Sequence, residues 1–332
     1  MSKDRRELSC FYLDDKLFDA FNLKVSEAVP VRSVFILETD KGVKILKRVK
    51  YDIEDLMFIY NSLNKIRENY AYVVNFRLTK DEKPYLIYND EVYVVLDCIN
   101  AREALFENPL DLKKVSINLA RFHKAGENIE SYERRNLKGK MIERLALRIK
   151  NLEKFKDIAD MHVNKTRFDE IFLQNVDYYI EKIKEAVDFL ERADYKNLKD
   201  CVFCHHDLAH HNVMIDEQDN VYFVDFDFCI LDSRIHDLAN IINKALKDNN
   251  FTVDTANIIL DNYCKEYKLS KHEINILYGL LLFPKDFYDI SRDYYFKTKL
   301  WDEEEYLDKL IRKAGYKEDI DKFLKDFKKI WL

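Results

Sequence analysis

Residues 201–240 read CVFCHHDLAHHNVMIDEQDNVYFVDFDFCILDSRIHDLAN, and the fold turns on them. Val213-Met-Ile215 and Val221-Tyr-Phe-Val224 are short runs of β-branched, apolar and aromatic residues. Asp216-Glu-Gln-Asp-Asn220 between them has turn composition, so the spacing predicts a β-hairpin. An antiparallel hairpin sets the start of its first strand beside the end of its second. Asn212 opens the first strand and Asp225 closes the second, so the two are expected to be neighbours. Asp207 lies on the loop just before them. Three oxygen-bearing side chains are therefore expected to converge at the open end of one hairpin. A hard cation such as Mg²⁺ prefers oxygen ligands, which a carboxylate (Asp225) and an amide (Asn212) provide. A second carboxylate (Asp207), off the metal, suits acceptance of a proton from an attacking hydroxyl. Phosphoryl transfer from a nucleotide calls for such a set. Plain turn chemistry also favours Asp and Asn, but the ordered spacing and flanking strands argue against it.

Outward from this segment the chain changes character. Val34-Phe-Ile-Leu37, the turn Thr39-Asp-Lys-Gly42 and Val43–Val49 predict another hairpin. Val43, Ile45, Lys47 and Val49 share a face of its second strand. A lysine on that face reads either as an edge residue snorkelling to water or as a cation aimed into a cleft. Leu56, Ile59, Leu63 and Ile66 form a helical stripe, and Pro84–Leu96 predicts two strands about Asn89-Asp90. From Leu110 the pattern is helical: Leu112, Val115, Leu119 and Phe122 recur at three and four, and 168–190, 234–247, 252–267, 272–282 and most of 284–331 continue it. These patterns predict an α+β chain: a β-rich N-terminal lobe over 1–96, a hinge at 97–109 and a helical C-terminal lobe over 110–332. The catalytic loop is expected at 205–227.

The 332 residues exceed what one core usually organises, and 47% hydrophobic content is enough for two. Only 5 glycines and 4 prolines argue against a loop-dominated chain. A net charge of −6, spread along the sequence, leaves no footprint for nucleic acid. No apolar run is long enough to span a bilayer, and MSKDRREL has no apolar region after it, so a cytoplasmic location is expected. The six scattered cysteines then read as reduced thiols.

His205-x-Asp207-x4-Asn212 followed by Asp225-Phe226-Asp227 resembles the paired catalytic and metal motifs of kinases, in the aminoglycoside phosphotransferase/choline kinase branch. More narrowly, the chain resembles the CotS-type spore coat proteins. Val29-Pro-Val-Arg-Ser33, Thr39–Gly42 with Leu46-Lys47, Ala101-Arg-Glu103, Leu119-Ala-Arg-Phe-His123 and Phe283-Pro-Lys-Asp-Phe-Tyr288 extend the likeness nearly end to end. The resemblance implies a two-lobed protein-kinase-like fold that uses ATP and Mg²⁺ to phosphorylate a small-molecule hydroxyl. By it, Asp207 is the catalytic base, His205 orients the loop, and Asn212 and Asp225 hold the metal. Lys47 contacts the nucleotide phosphates, and Asp237 anchors the loop. It also implies a possible place in the spore coat, and as alternative a coat scaffold of little or no activity with coat proteins as partners.

Departures accompany the likeness. Residues 25–35 contain no glycine, where a phosphate-cradling loop would have several. The acidic partner of Lys47 is open among Glu54, Asp52 and Asp55. Cys201-Val-Phe-Cys204-His205 matches a haem-attachment pattern and, with His206, His210 and His211, a zinc cluster. Haem attachment requires export, which nothing in the sequence directs, and a buried strand through Val202-Phe203 argues against zinc, whose knuckles need a turn there. The acidic and aromatic residues of Pro284–Trp301 suit a cationic alcohol, but helical core with a solvated face explains them more simply.

Overall fold

The computed structural model describes residues 13–198 and 201–332. The chain packs as two compact units. The first contains the residues through Ala104, with Asn128–Arg135 and His210–Cys229. The second contains Leu105–Glu127, Asn136–Ala209 and Ile230–Leu332. The segment 205–227, expected within the helical lobe, is thus divided after Ala209.

The first unit is built on a six-stranded antiparallel sheet: β1 (Val25–Val31), β2 (Val34–Thr39), β3 (Lys44–Val49), β4 (Phe76–Arg77), β5 (Leu86–Tyr88) and β6 (Glu91–Asp97). Its order is β1-β2-β3-β6-β4, with β5 also on β6. The 34–49 hairpin forms in the expected place, with Val34 opposite Lys47 and Leu37 opposite Lys44. Gly42 takes a left-handed φ of 82°, which explains glycine at the turn. Asn89 and Asp90, both at positive φ, close β5 onto β6 as their composition predicts. Strand β1 has no counterpart in the sequence-based expectations. It pairs only with β2, and an edge strand tolerates Pro30.

β3 lies between β2 and β6, so Lys47 is not on an edge. One sheet face is covered by helix α1 (Asp15–Ala20), whose Leu17 and Phe18, with Phe21 beyond it, pack on Phe35, Leu37, Leu46 and Val95. On the other face, helix α2 (Ile53–Arg67) brings Leu56 against Val49 and Val94. All four residues of the predicted α2 stripe are buried. A second small sheet joins β7 (Arg102–Glu103) to the predicted hairpin, β9 (Val213–Ile215) with β10 (Val221–Phe223).

The second unit is helical: α3 (Pro109–Ala125), α4 (Met141–Met161), α5 (Arg167–Arg192), α6 (Ile235–Asp248), α7 (Val253–Glu266), α8 (Lys271–Leu281), α9 (Lys285–Tyr295), α10 (Glu303–Ala314) and α11 (Lys317–Trp331). Among the described residues no helix is long and apolar enough to cross a membrane. Leu112, Val115, Leu119 and Phe122 are fully buried along α3, as their spacing predicts. The aromatic residues of 284–301 serve the core: Tyr294 stacks on Phe168 at 3.6 Å, and Tyr295 on Phe155 at 5.1 Å. The carboxylates there are matched by cations, Asp289 and Asp293 with Arg292 and Asp286 with Lys247.

One short ladder in this unit, β8 (Val202–Cys204) on β11 (Ile230–Asp232), leads into the motif segment. Gly126, at the end of α3, lies directly on β8, and Phe203 N–H donates to its carbonyl at 3.0 Å. A Cβ at Gly126 would come within 3.2 Å of the Phe203 carbonyl oxygen and Cβ. With β11 on its other side, β8 has little room to retreat. Gly126→Ala is therefore expected to destabilise the fold by about 1–3 kcal/mol in urea unfolding, despite alanine's better helix propensity. Equal or higher stability of the variant would contradict this packing.

Candidate active site

In the second unit, β8 delivers His205, Asp207 and the turn between them. His206 has a left-handed φ of 66°, so the chain bends sharply there. Helix α6 holds the bend through three side chains on one face, at spacings of three and four. Asp237, in the first turn, accepts the His205 and His206 backbone N–H groups at 2.7 and 2.8 Å. Asn240 accepts Leu208 N–H at 2.9 Å and donates to the His206 carbonyl at 3.1 Å. Lys244 donates to Asp207 Oδ1 at 3.2 Å.

Asp237 is wholly buried. Burial works to raise its pKa, but the hydrogen bond from His123, 3.1 Å away, and the surrounding histidines hold it below the usual carboxylate range. His123 in turn meets the Tyr263 hydroxyl at 2.8 Å. His205 is fully buried, and its Nδ1 accepts Asp207 N–H at 3.3 Å. Cys204 Sγ turns inward toward the Asp232 and Ser233 carbonyls.

In the first unit, the 212–225 hairpin forms as the sequence predicts. Val224 N–H donates to the Asn212 carbonyl at 3.0 Å, which sets Asn212 beside the strand end that leads into Asp225. Asp225 has φ 64°, a strained conformation for a residue with a side chain. Lys47 Nζ reaches both Asp225 and Asp227, each at 2.6 Å. Burial lowers the ammonium's pKa, but the charges of Asp227 and Asp225 outweigh it and raise it above its ordinary value. Tyr51 donates to Asp227 at 3.1 Å, and Arg135 donates to the Asp227 and Cys229 carbonyls at 2.8 and 3.0 Å. Ile59, Val74, Phe76 and Val94 line a cavity beside Lys47. Apolar walls of this kind strengthen the charge interactions next to them.

The question of Lys47's acidic partner is resolved by these contacts. Asp52 and Glu54 face Arg134, at 2.5 and 3.5 Å, and Asp55 faces Arg135 at 3.4 Å. The lysine instead pairs with carboxylates nearly two hundred residues away, which no local periodicity reveals. Asp227 enters the sequence reading only as the last residue of the Asp225-Phe226-Asp227 motif, and Tyr51, Asn240 and Lys244 have no role in it. The 237/240/244 spacing on one helix face is the signal that would have found the last two. Asn212 and Asp225 offer an amide oxygen and a carboxylate, the donor types a hard divalent cation prefers, with the Lys47 ammonium against the Asp225 carboxylate.

Residues 14–327 match the model of a family described as spore coat putative kinase YutH. The chain is 24% identical over 303 residues to "Spore coat protein S" of Bacillus subtilis (strain 168), covering 88% of this chain and 86% of that protein. Among solved structures, an aminoglycoside phosphotransferase from Alicyclobacillus acidocaldarius superposes with a TM-score of 0.80 at 19% identity, over 96% of each chain. An AMP-bound spectinomycin phosphotransferase gives 0.66 at 15% identity, over 90% of this chain and 92% of that one. The fold is two-lobed and protein-kinase-like, with a small β-rich lobe and a large helical one.

The α6 cap also contains a buried titratable group. His236 Nε2 meets the Tyr195 hydroxyl at 3.1 Å and Asp232 at 3.3 Å. Burial first, then the Arg144 and Arg148 guanidinium groups, push its pKa down to about 4 against the raising field of Asp237. The folded state thus binds a proton less readily than the unfolded state, where the value is 6.5. Unfolding takes up a proton between these values, so His236's contribution is complete above pH 6.5 and falls as pH drops toward 4. At pH 5 the loss is roughly 2 kcal/mol. Melting curves of wild type and His236→Asn from pH 7.5 to 5 should converge or cross on acidification; a constant gap would show that His236 titrates normally.

Proposed function

The chain belongs to the spore coat putative kinase YutH family, and from that premise we propose that it is a small-molecule phosphotransferase associated with the spore coat. It moves the γ-phosphoryl group of ATP to a hydroxyl. The observation that carries this reading is the Lys47 ammonium held 2.6 Å from Asp225, in the unit that also presents Asn212. Lys47 is the group that meets the nucleotide phosphates. Asn212 and Asp225 would hold Mg²⁺, which when bound neutralises phosphate charge. Asp207 accepts the acceptor's hydroxyl proton as its oxygen bonds to the γ-phosphorus. The bond from the γ-phosphorus to the bridging oxygen breaks, ADP leaves with that electron pair, and the proton passes from Asp207 to solvent. Lys244 orients Asp207, and His205 with Asp237 keeps the loop in place.

A second reading has its own observation. The β1–β2 turn closes through Arg32 at φ 51°, without glycine, and Arg32 pairs with Glu103 at 2.9 Å. Side chains on that turn hinder close backbone approach to a phosphate. This favours a coat scaffold of little activity, with coat proteins as partners.

Thermal unfolding with and without Mg–ATP separates the two. At a hundred times its Kd the ligand should add about 2.7 kcal/mol of stability. Asp225→Ala should lose that shift. Asp207→Ala should keep it while turnover falls by roughly 10²–10⁴. Equal loss of binding in both variants contradicts the division of roles, and no shift in wild type at millimolar Mg–ATP favours the scaffold.

A further inference from the structure

The second unit contains a cavity whose charged lining is four lysines, Lys244, Lys247, Lys285 and Lys313, against one carboxylate, Asp286. Helix α6 supplies Asn240, Asn243, Lys244 and Lys247, which share one helix face. Lys285 and Asp286 come from the start of α9, and Lys313 from the end of α10. The rest of the lining is neutral, with Phe251, Phe287 and Phe323 among its walls. Phe287 is fixed by stacking on Tyr179 at 3.8 Å. The cavity joins the residues that hold the motif loop: Asn240 binds Leu208 N–H, and Lys244 binds Asp207.

Three of the four cations have a carboxylate partner. Lys244 has Asp207 at 3.2 Å, Lys247 has Asp286 at 2.5 Å, and Lys285 has Asp289 at 2.5 Å. Four positive charges against these three negative ones leave one in excess, and it belongs to Lys313. Among the described residues no carboxylate reaches its ammonium group within ion-pair distance. Burial, with the neighbouring Lys247 and Lys285 charges, lowers its pKa against the raising fields of Asp286 and Asp289, neither of which reaches it as an ion pair. Asp286 is held below the ordinary carboxylate range, against its burial, by Lys247, Lys313 and Lys285.

We propose that this cavity binds an oxyanion, and that the acceptor hydroxyl compound therefore carries its own anionic group, a phosphate or a carboxylate. Lys313 meets that anion, and Asn240 and Asn243 provide hydrogen bonds beside it. The link to an acceptor rests on the phosphotransferase reading; the anion site itself does not. Lysines matched by neighbouring carboxylates also give the anion a way to compete for them, which makes binding sensitive to salt.

The test has two arms on the full chain. Without nucleotide, calorimetry or thermal shift measures inorganic phosphate binding to wild type, Lys313→Gln and Lys313→Arg. Wild type should bind, the glutamine variant should bind roughly tenfold or more weakly, and arginine should restore most of the affinity. With Mg–ATP, ADP release is compared for glycerol, glycerol 3-phosphate and glycerate, which share a frame and differ in charge. Preference for glycerol 3-phosphate identifies a phosphate-bearing acceptor, and preference for glycerate a carboxylate-bearing one. Phosphate binding that is absent, or equal in wild type and Lys313→Gln, overturns the proposal. Preference for neutral glycerol overturns its acceptor half. Lys313-dependent phosphate binding with no response to Mg–ATP supports the anion site and counts against the transferase reading instead.

Discussion

The buried carboxylate of Asp237 holds the motif loop in its bend. Two consecutive backbone N–H groups, at His205 and His206, point at it, and a left-handed residue lies between β8 and Asp207. A turn with that geometry leaves donors facing the protein interior, where an unmatched N–H costs about 1–3 kcal/mol. One carboxylate satisfies both and also takes His123. Because Asp237 sits in the first turn of α6, the loop inherits the helix's rigidity. Asn240 and Lys244 repeat the attachment one and two turns on, so the Asp207 side chain extends from a segment tied at three points.

A different balance governs the first unit. Lys47 stands on a central strand beside an apolar cavity, where an isolated ammonium would be strongly disfavoured. Asp225 and Asp227 remove that penalty, Tyr51 donates to the same Asp227 oxygen that Lys47 holds, and Arg135 holds the Asp227 backbone carbonyl. On the proposed function, the same ammonium and carboxylates are the groups that a nucleotide's phosphates and their cation would meet. The strained backbone at Asp225 belongs with this, since residues held in uncommon conformations gather where a site over-determines them.

Family membership and fold leave the acceptor open, because one kinase-like frame serves many substrates. Its chemistry has to be read from this chain's own side chains. The lysines over α6, α9 and α10 are such a feature, and they adjoin the loop through Asn240 and Lys244. The glycine-free turn at Arg32 is another, and it weighs toward a coat role without turnover.

By itself the sequence determined what depends on near neighbours in the chain. The 34–49 and 212–225 hairpins follow from alternation and turn residues, and the α2 and α3 stripes from spacing, because backbone geometry enforces these periods locally. The order of Asp207, Asn212 and Asp225 was legible for the same reason. The structure alone decided which charges meet. Lys47 takes Asp225 and Asp227 rather than any acid on α2, and α2's acids face Arg134 and Arg135. Lys313 joins Lys244, Lys247 and Lys285 from three separate helices. Such pairings depend on how distant elements pack and on which charges are desolvated together, and neither quantity has a period along the chain.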